Sequence, residues 1–395
     1  MALADLSTDY AGRKGAMFKL ALKTGILTVV TAGFYRFWMK TRMRRYYWSA
    51  IRPGGLPLEY GGRPTEKLLG FLTAVVFLAF YIGVVNLVLM FFSFSLFQGN
   101  APAYAVSLVG ITPLIFFAQY RARRYVLART RWRGIRFGLE PGVAGFVWRS
   151  ILHWGLTAMT AGLYWPVKTF WLEKYRTDRT FYGNARMHQG GRWFMLYPAT
   201  KHIAIGAVIV LVTGAIIAWQ ETPALAPLTV IGAGWMVFGI AYYKANAFKR
   251  LTDAKTLGDI GLCTAPRAGR VLGIYAGGWA AISGVLFGAL MVVGIIMGLV
   301  LAATGFAVQA WLGGEDLSSI PAFVPVIFGL VVYFGVFIFY GVLKEVFITL
   351  PMAEHFAEET RIVNAHLLND IHQRDRDEFG EAEGFADALP LGDAF

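Results

Sequence analysis

The chain has 395 residues, is 56% apolar and carries a formal net charge of +13. Several apolar runs reach the roughly 20 residues that a helix needs to cross a bilayer, so the chain reads as an integral membrane protein, and its length does not count soluble domains. The single cysteine, Cys263, excludes an intramolecular disulfide and a cysteine-rich metal cluster.

The N-terminus has no basic stretch leading into an apolar core with a small-residue cleavage site, so no removable signal peptide is read. From Met352 onward there are 11 Asp+Glu against 3 Lys+Arg, a balance of −8, and the remainder carries +21. The basic residues adjoin apolar segments. The positive-inside rule and anionic headgroups account for that placement, so membrane lipids rather than nucleic acid are the expected partners.

Taken in order, residues 1–19 are polar and partly disordered at the start, with 15–20 a short strand or a lead-in to the first apolar segment. Residues 27–51 pass from Thr-rich apolar sequence through Gly33 into a basic aromatic stretch. Residues 68–96 and 101–120 read as a membrane hairpin. Residues 121–136 then supply seven arginines. Residues 143–165 resemble the opening segment, and 168–201 are basic again. A second hairpin covers 203–219 and 225–243, and 244–270 is basic. Residues 271–311 hold no acid or base over 41 positions. As one helix they would run about 60 Å, so they must tilt, bend or break. Residues 324–343 span back, 352–371 read as a surface helix, and the tail after Asp375 reads as disordered.

Loops around Asn100, Thr222 and Glu315 lack Lys and Arg and belong outside. The basic loops 39–67, 121–141, 166–202 and 244–270 belong inside, with both termini cytoplasmic. Segments 24–38 and 143–165 are basic on both flanks, so each either re-enters from the inside or crosses against the charge rule. The expected fold class is therefore all-α: a polytopic integral membrane protein with an internal repeat, about six full spans and two short segments. As a single domain over 1–395 it divides into a first unit (15–141), a second (142–270), a divergent third hairpin (271–351) and an acidic cytoplasmic tail (352–395).

The repeat is written in residues. Leu27, Thr28, Thr31, Ala32, Gly33 and Tyr35 recur as Leu156, Thr157, Thr160, Ala161, Gly162 and Tyr164. A second echo carries Tyr125, Arg129, Thr130 and Arg136 to Tyr175, Arg179, Thr180 and Arg186. Each unit reads as an apolar segment, a basic aromatic juxtamembrane helix, and a Gly-containing turn with a β-like piece. The run LTxxTxGxYRFWMKTRxRRYYWSxIRPGG, followed by PLEYGG (57–62) and EKLLGF (66–71), resembles the YjgN family of bacterial inner-membrane proteins, a family of unknown function. The resemblance is strongest over 15–75 and 155–190, and the last third departs from it. It implies a polytopic bacterial membrane protein and brings no substrate or catalytic residue.

Two residue sets are candidates. Thr28, Thr31, Gly33, Tyr35, His153, Thr157, Thr160, Gly162 and Tyr164 would line a solute path or a repeat interface, or their threonines would bond to their own helices. Trp38, Lys40, Arg42, Arg44, Arg45, Tyr46, Arg121 and Arg124 would hold an anionic headgroup or solute, or only keep the loop inside. His355, His366 and His372, with Glu358, Glu359 and Asp370, match no metal-site spacing. No phosphate loop, nucleophile elbow or Cys–His pair is present. No catalytic residue, metal or cofactor is therefore expected, and enzyme chemistry is the least supported reading. The functional expectation is a transporter or channel for a small solute in the bacterial inner (cytoplasmic) membrane. The alternative is a lipid-binding or envelope-organising protein.

Overall fold

The basic stretches between the apolar segments carry helix ends followed by short strands. The computed structural model describes residues 5–97, 100–221, 223–303 and 323–374. Thr222, the expected outer loop around Glu315 and the acidic tail from Asp375 lie outside the described residues. Two compact units divide the chain: Met1–Ala11, Arg44–Gly269 and Phe356–Phe395 form one, and Gly12–Met43 with Arg270–His355 the other.

The first unit holds a ten-stranded sheet. Its strands are β1 (Asp5–Tyr10), β2 (Ile51–Pro53), β3 (Glu59–Tyr60), β4 (Thr130–Trp132), β5 (Ile135–Leu139), β6 (Thr180–Tyr182), β7 (Ala185–Gln189), β8 (Lys255–Leu257), β9 (Ile260–Thr264) and β10 (Thr360–Val363). The order is β2-β1-β10-β9-β8-β7-β6-β5-β4-β3, and every neighbouring pair is antiparallel. The two edge strands are themselves tied, since the Leu58 N–H donates to the Ile51 carbonyl at 3.1 Å.

The curled sheet packs its apolar residues around a short 3₁₀ segment, Ala365–Asp370. Trp132, Tyr182, Ile260 and Ile362 bury against Ala365 and Leu368, with Leu6, Leu58, Phe137 and Leu257 around them. The Tyr182 hydroxyl donates to the Trp132 carbonyl at 2.9 Å, so the largest buried phenol in this core is satisfied. The β4–β5 turn places Arg133 and Gly134 at φ 51° and 79°, the left-handed pair that a two-residue hairpin turn requires. Helix ends feed the strands through one device. The hydroxyls of Thr130, Thr180 and Thr360 donate to the carbonyls four residues back at 2.7, 2.9 and 2.7 Å, occupying carbonyls that the ending helix leaves open.

The chain is thus mostly helical but not all-α. The polar N-terminus contains β1, and of the two readings of residues 15–20 the lead-in holds, since they open helix α1 (Lys14–Val30), which runs into the first apolar segment; one further expectation is corrected. Residues 352–371 are a short helix, a strand and the 3₁₀ segment, because Thr360–Val363 pairs with both β1 and β9.

The remaining helices are α2 (Arg36–Ala50), α3 (Pro64–Phe80), α4 (Leu87–Phe97), α5 (Asn100–Ala128), α6 (Val143–Met159), α7 (Trp165–Thr177), α8 (Lys201–Gln220), α9 (Ala226–Asp253), α10 (Ala268–Ala303), α11 (Phe323–Lys344) and α12 (Leu350–Glu358). Among the described residues, four helical stretches are long and apolar enough to cross a membrane: Trp193–Gln220, Pro223–Asp253, Ala268–Leu299 and Phe328–Glu358. Helices α8 and α9 pack through small residues. A Cβ on Gly239 would meet the Ile203 nitrogen at 2.5 Å, and one on Gly206 the Met236 nitrogen at 2.7 Å. Close backbone approach of this kind is how helices associate where lipid removes the hydrophobic drive. In the second unit, Ile282 of α10 buries against Leu343 of α11 and Ile348.

Candidate functional site

The repeated LTxxTAGxY motif folds both times as an elbow between two helices. Thr31–Tyr35 joins α1 to α2, and Thr160–Tyr164 joins α6 to α7. The backbones match: Ala32 and Gly33 lie at φ 49° and 92°, Ala161 and Gly162 at 47° and 91°. At the glycine φ a Cβ is strained, which accounts for glycine there.

Every backbone N–H of the bend is satisfied from inside the motif. Ala32, Gly33 and Phe34 donate to Val29, Thr28 and Thr31 carbonyls at 2.9, 2.7 and 3.1 Å. Ala161, Gly162 and Leu163 donate to Ala158, Thr157 and Thr160 carbonyls at 3.1, 2.8 and 3.0 Å. The repeated threonine closes the remaining gap. Thr31 Oγ1 donates to Leu27 O at 2.7 Å and accepts from the Tyr35 N–H at 2.9 Å. Thr160 Oγ1 repeats this with Leu156 O at 2.8 Å and the Tyr164 N–H at 3.1 Å. Thr28 and Thr157 donate to Thr24 O and His153 O, each at 2.7 Å. All four candidate threonine hydroxyls are therefore engaged with their own backbones.

The elbow tips are apolar and exposed, with Val30 and Leu163 each 76% exposed and Met159 84%. Behind the second tip, His153 Nδ1 lies 3.2 Å from the Tyr164 hydroxyl with the rings stacked. The Lys168 ammonium is buried between two indoles, 3.3 Å from the Trp154 ring centre and 3.7 Å from that of Trp165. Sequence reasoning missed Lys168. Its signal was a lysine three residues after one tryptophan of a repeated aromatic segment.

The expected basic set is distributed along α2 and α5. The Arg42 guanidinium lies 5.8 Å from the Tyr35 ring centre, and Tyr35 stacks on Trp38. Lys40 is buried. Arg44 Nη1 donates to the Tyr60 hydroxyl of β3 at 3.5 Å, and Arg45 Nη2 to Gly62 O just after it at 3.0 Å. Tyr46 packs edge-on against Tyr47. Arg121 lies over Phe117 at 5.4 Å, and Arg124 is half-buried on the same helix. A further charged centre went unforeseen. Glu173, at the base of α7, meets Lys255 of β8 at 2.7 Å, Arg176 at 2.7 Å and Arg123 at 3.7 Å. Burial pushes the Glu173 carboxyl up, but Lys255, Arg176 and Arg123 outweigh it and hold the group well below the usual carboxylate range. Its signal was an acid set among cations at a helix end. No cluster of three or more metal-ligating side chains occurs among the described residues.

Long apolar helices whose exposed faces carry Leu, Val and Ile, ending in tryptophan, arginine and a strand layer, define an integral membrane protein. Residues 5–286 match the model of a family described as bacterial protein of unknown function (DUF898), and the chain belongs to that family. The inner membrane protein YjgN of Salmonella typhimurium (strain LT2) is 26% identical over 140 residues, 35% of this chain. The match spans about a third (32%) of that relative's length. No solved structure matches the chain. The YjgN-family assignment expected from the motif is thereby established.

Proposed function

We propose that this is a multi-pass inner-membrane protein whose two elbows dip into one leaflet and return, and whose role is to engage and organise anionic lipid at that face. The observation that carries the reading is the sheet. Its ten strands are drawn from residues between 5 and 363, so the segments that bear them share one side of the membrane. Each stretch between successive strands must then cross an even number of times or not at all. The positive-inside rule makes that side cytoplasmic, with both ends of the described chain on it.

The pairs α8/α9 and α10/α11 have the length to cross and return, and we add α3–α4 with α5 as a third pair, giving six spans. Helices α6 and α7 have 17 and 13 residues, about 25 and 20 Å, short of the ~30 Å core. A re-entrant hairpin fits them. The matching elbow after α1 supports a common origin of the two units.

An unsatisfied backbone polar group in hydrocarbon costs several kcal/mol. The N–H groups of both bends are satisfied within the motif, those of Tyr35 and Tyr164 by the Thr31 and Thr160 hydroxyls, which favours lipid engagement over a solute path. The test uses single cysteines in a Cys263→Ser background. Leu163→Cys is expected to react with a membrane-impermeant maleimide from neither face, and Trp219→Cys from the face opposite Cys263. Labelling of Leu163→Cys from the Trp219 side overturns the re-entrant reading. Aqueous labelling of Thr157→Cys within intact membranes overturns the preference for lipid over a solute path.

A further inference from the structure

Helices α5 and α7 end alike, yet one end is electrically closed and the other is not. At the end of α5, Arg129 lies over the Tyr125 ring at 5.6 Å. Glu66, in the first turn of α3, bonds both groups, at 2.9 Å from Arg129 and 3.1 Å from the Tyr125 hydroxyl. At the end of α7, Arg179 lies over the Tyr175 ring at 3.7 Å. The helix that packs there is α6, which starts after Pro141 as α3 starts at Pro64. Its residue at the Glu66 position is Val143.

No carboxylate is bonded to Arg179 among the described residues. Instead a second guanidinium, that of Arg149, lies over the same ring at 4.8 Å, also without a carboxylate partner. Glu140, the nearby acid, is bonded to Arg186. The Tyr175 hydroxyl donates to Gly142 O at 2.8 Å. Glycines let the three groups converge: a Cβ on Gly142 would lie 2.9 Å from that hydroxyl and 3.0 Å from Arg179 Nε, and one on Gly145 would lie 3.2 Å from Arg149 Nη1. Arg149 Nη1 donates to Gly145 O at 3.1 Å and Arg179 Nη1 to Tyr175 O at 3.4 Å, which leaves each guanidinium further N–H donors for an anion, and an anion offsets the two like charges.

We propose that Arg149 and Arg179, braced on Tyr175, bind a phosphate group, in the place that Glu66 fills at the other helix end. Guanidinium forks suit phosphate geometry. The position at the base of α6, beside the exposed Trp148, matches the depth of a phospholipid headgroup. The inference rests on the lipid-engaging reading above but not on the depth of the elbow tips.

The test is native mass spectrometry of the full-length protein in detergent with added dioleoylphosphatidylglycerol or dioleoylphosphatidylcholine. The wild type is expected to retain the anionic lipid in preference, and Arg149→Gln and Arg179→Gln each to weaken that preference roughly fivefold. Arg192→Gln, an exposed basic control, leaves it unchanged. Val143→Glu supplies the missing carboxylate and is expected to abolish the adduct. Displacement of the lipid by millimolar inorganic phosphate would identify a small phosphate compound as the natural occupant, and persistence would identify the headgroup. Full retention of the preference in Arg149→Gln overturns the site. That outcome is separate from the maleimide result at Leu163, which bears only on the elbow.

Discussion

Replacing Glu173 with glutamine keeps the shape of the side chain and removes its charge. The carboxylate side chain is 12% exposed, and its partners Lys255 and Arg123 are 17% and 18% exposed. Arg176, at 29%, can turn toward water, but the other two cations would remain mostly buried with their counter-ion gone. Removing one member of a buried ion cluster costs about 3–5 kcal/mol. Since Arg176 can rehydrate, the lower end, about 3 kcal/mol, is the expected loss for Glu173→Gln. At ~2–4 °C per kcal/mol for a unit of this size, the melting temperature should fall by on the order of 6–12 °C.

The sign with pH follows from the depressed pKa of Glu173. The stability it contributes is present above the unfolded-state value of about 4.3 and is lost as pH falls through the folded one. Melting followed by tryptophan fluorescence in detergent at pH 7, pH 4 and pH 3 is the assay. The gap between wild type and variant should be wide at pH 7 and begin to close only below about pH 4.3. Equal melting temperatures at pH 7 would refute the reasoning, as would a gap that does not change with acid.

Two further outcomes follow from the elbow and the sheet. Thr160→Val strips the acceptor from the Tyr164 N–H and should lower stability by about 1–3 kcal/mol, while Thr160→Ser should recover most of it; paired melting curves in detergent check this. A chain ended after Val363 loses Leu367, Leu368 and Ile371 from the sheet interior, an apolar burial of on the order of 5 kcal/mol. Limited proteolysis should then cut within the strand segments, and a protease pattern like that of the full chain would count against the packing described.

The elbows were legible because all their determinants are local. Six matched residues at fixed spacing encode the bend, the glycine φ and the threonine that closes it. The β-like pieces after the basic helices were legible for the same reason, from Gly134 and Gly183 in tight turns. The sheet they build was not. Its strands hold two to six residues, too few to display an alternating pattern, and Arg131, Arg136 and Arg186 made them resemble basic loops. Pairing is also remote: Asp5 lies opposite Val363, and no local signal specifies that partner. The 352–371 stretch misled in another way, because an amphipathic pattern persisted across a helix, a strand and a 3₁₀ turn. Lys168 and Glu173 were hidden because their meaning depends on which helix or strand folds against them.

The position of β10 in the sheet has a consequence for biogenesis. Thr360–Val363 sits between β1 and β9, so those two strands keep unpaired edges until almost the whole described chain has been synthesised and inserted. An interrupted or clipped molecule would display open β-edges, ready-made templates for pairing with another chain. Translation through β10 thus closes that seam, and a molecule in which β10 has docked no longer offers those two edges.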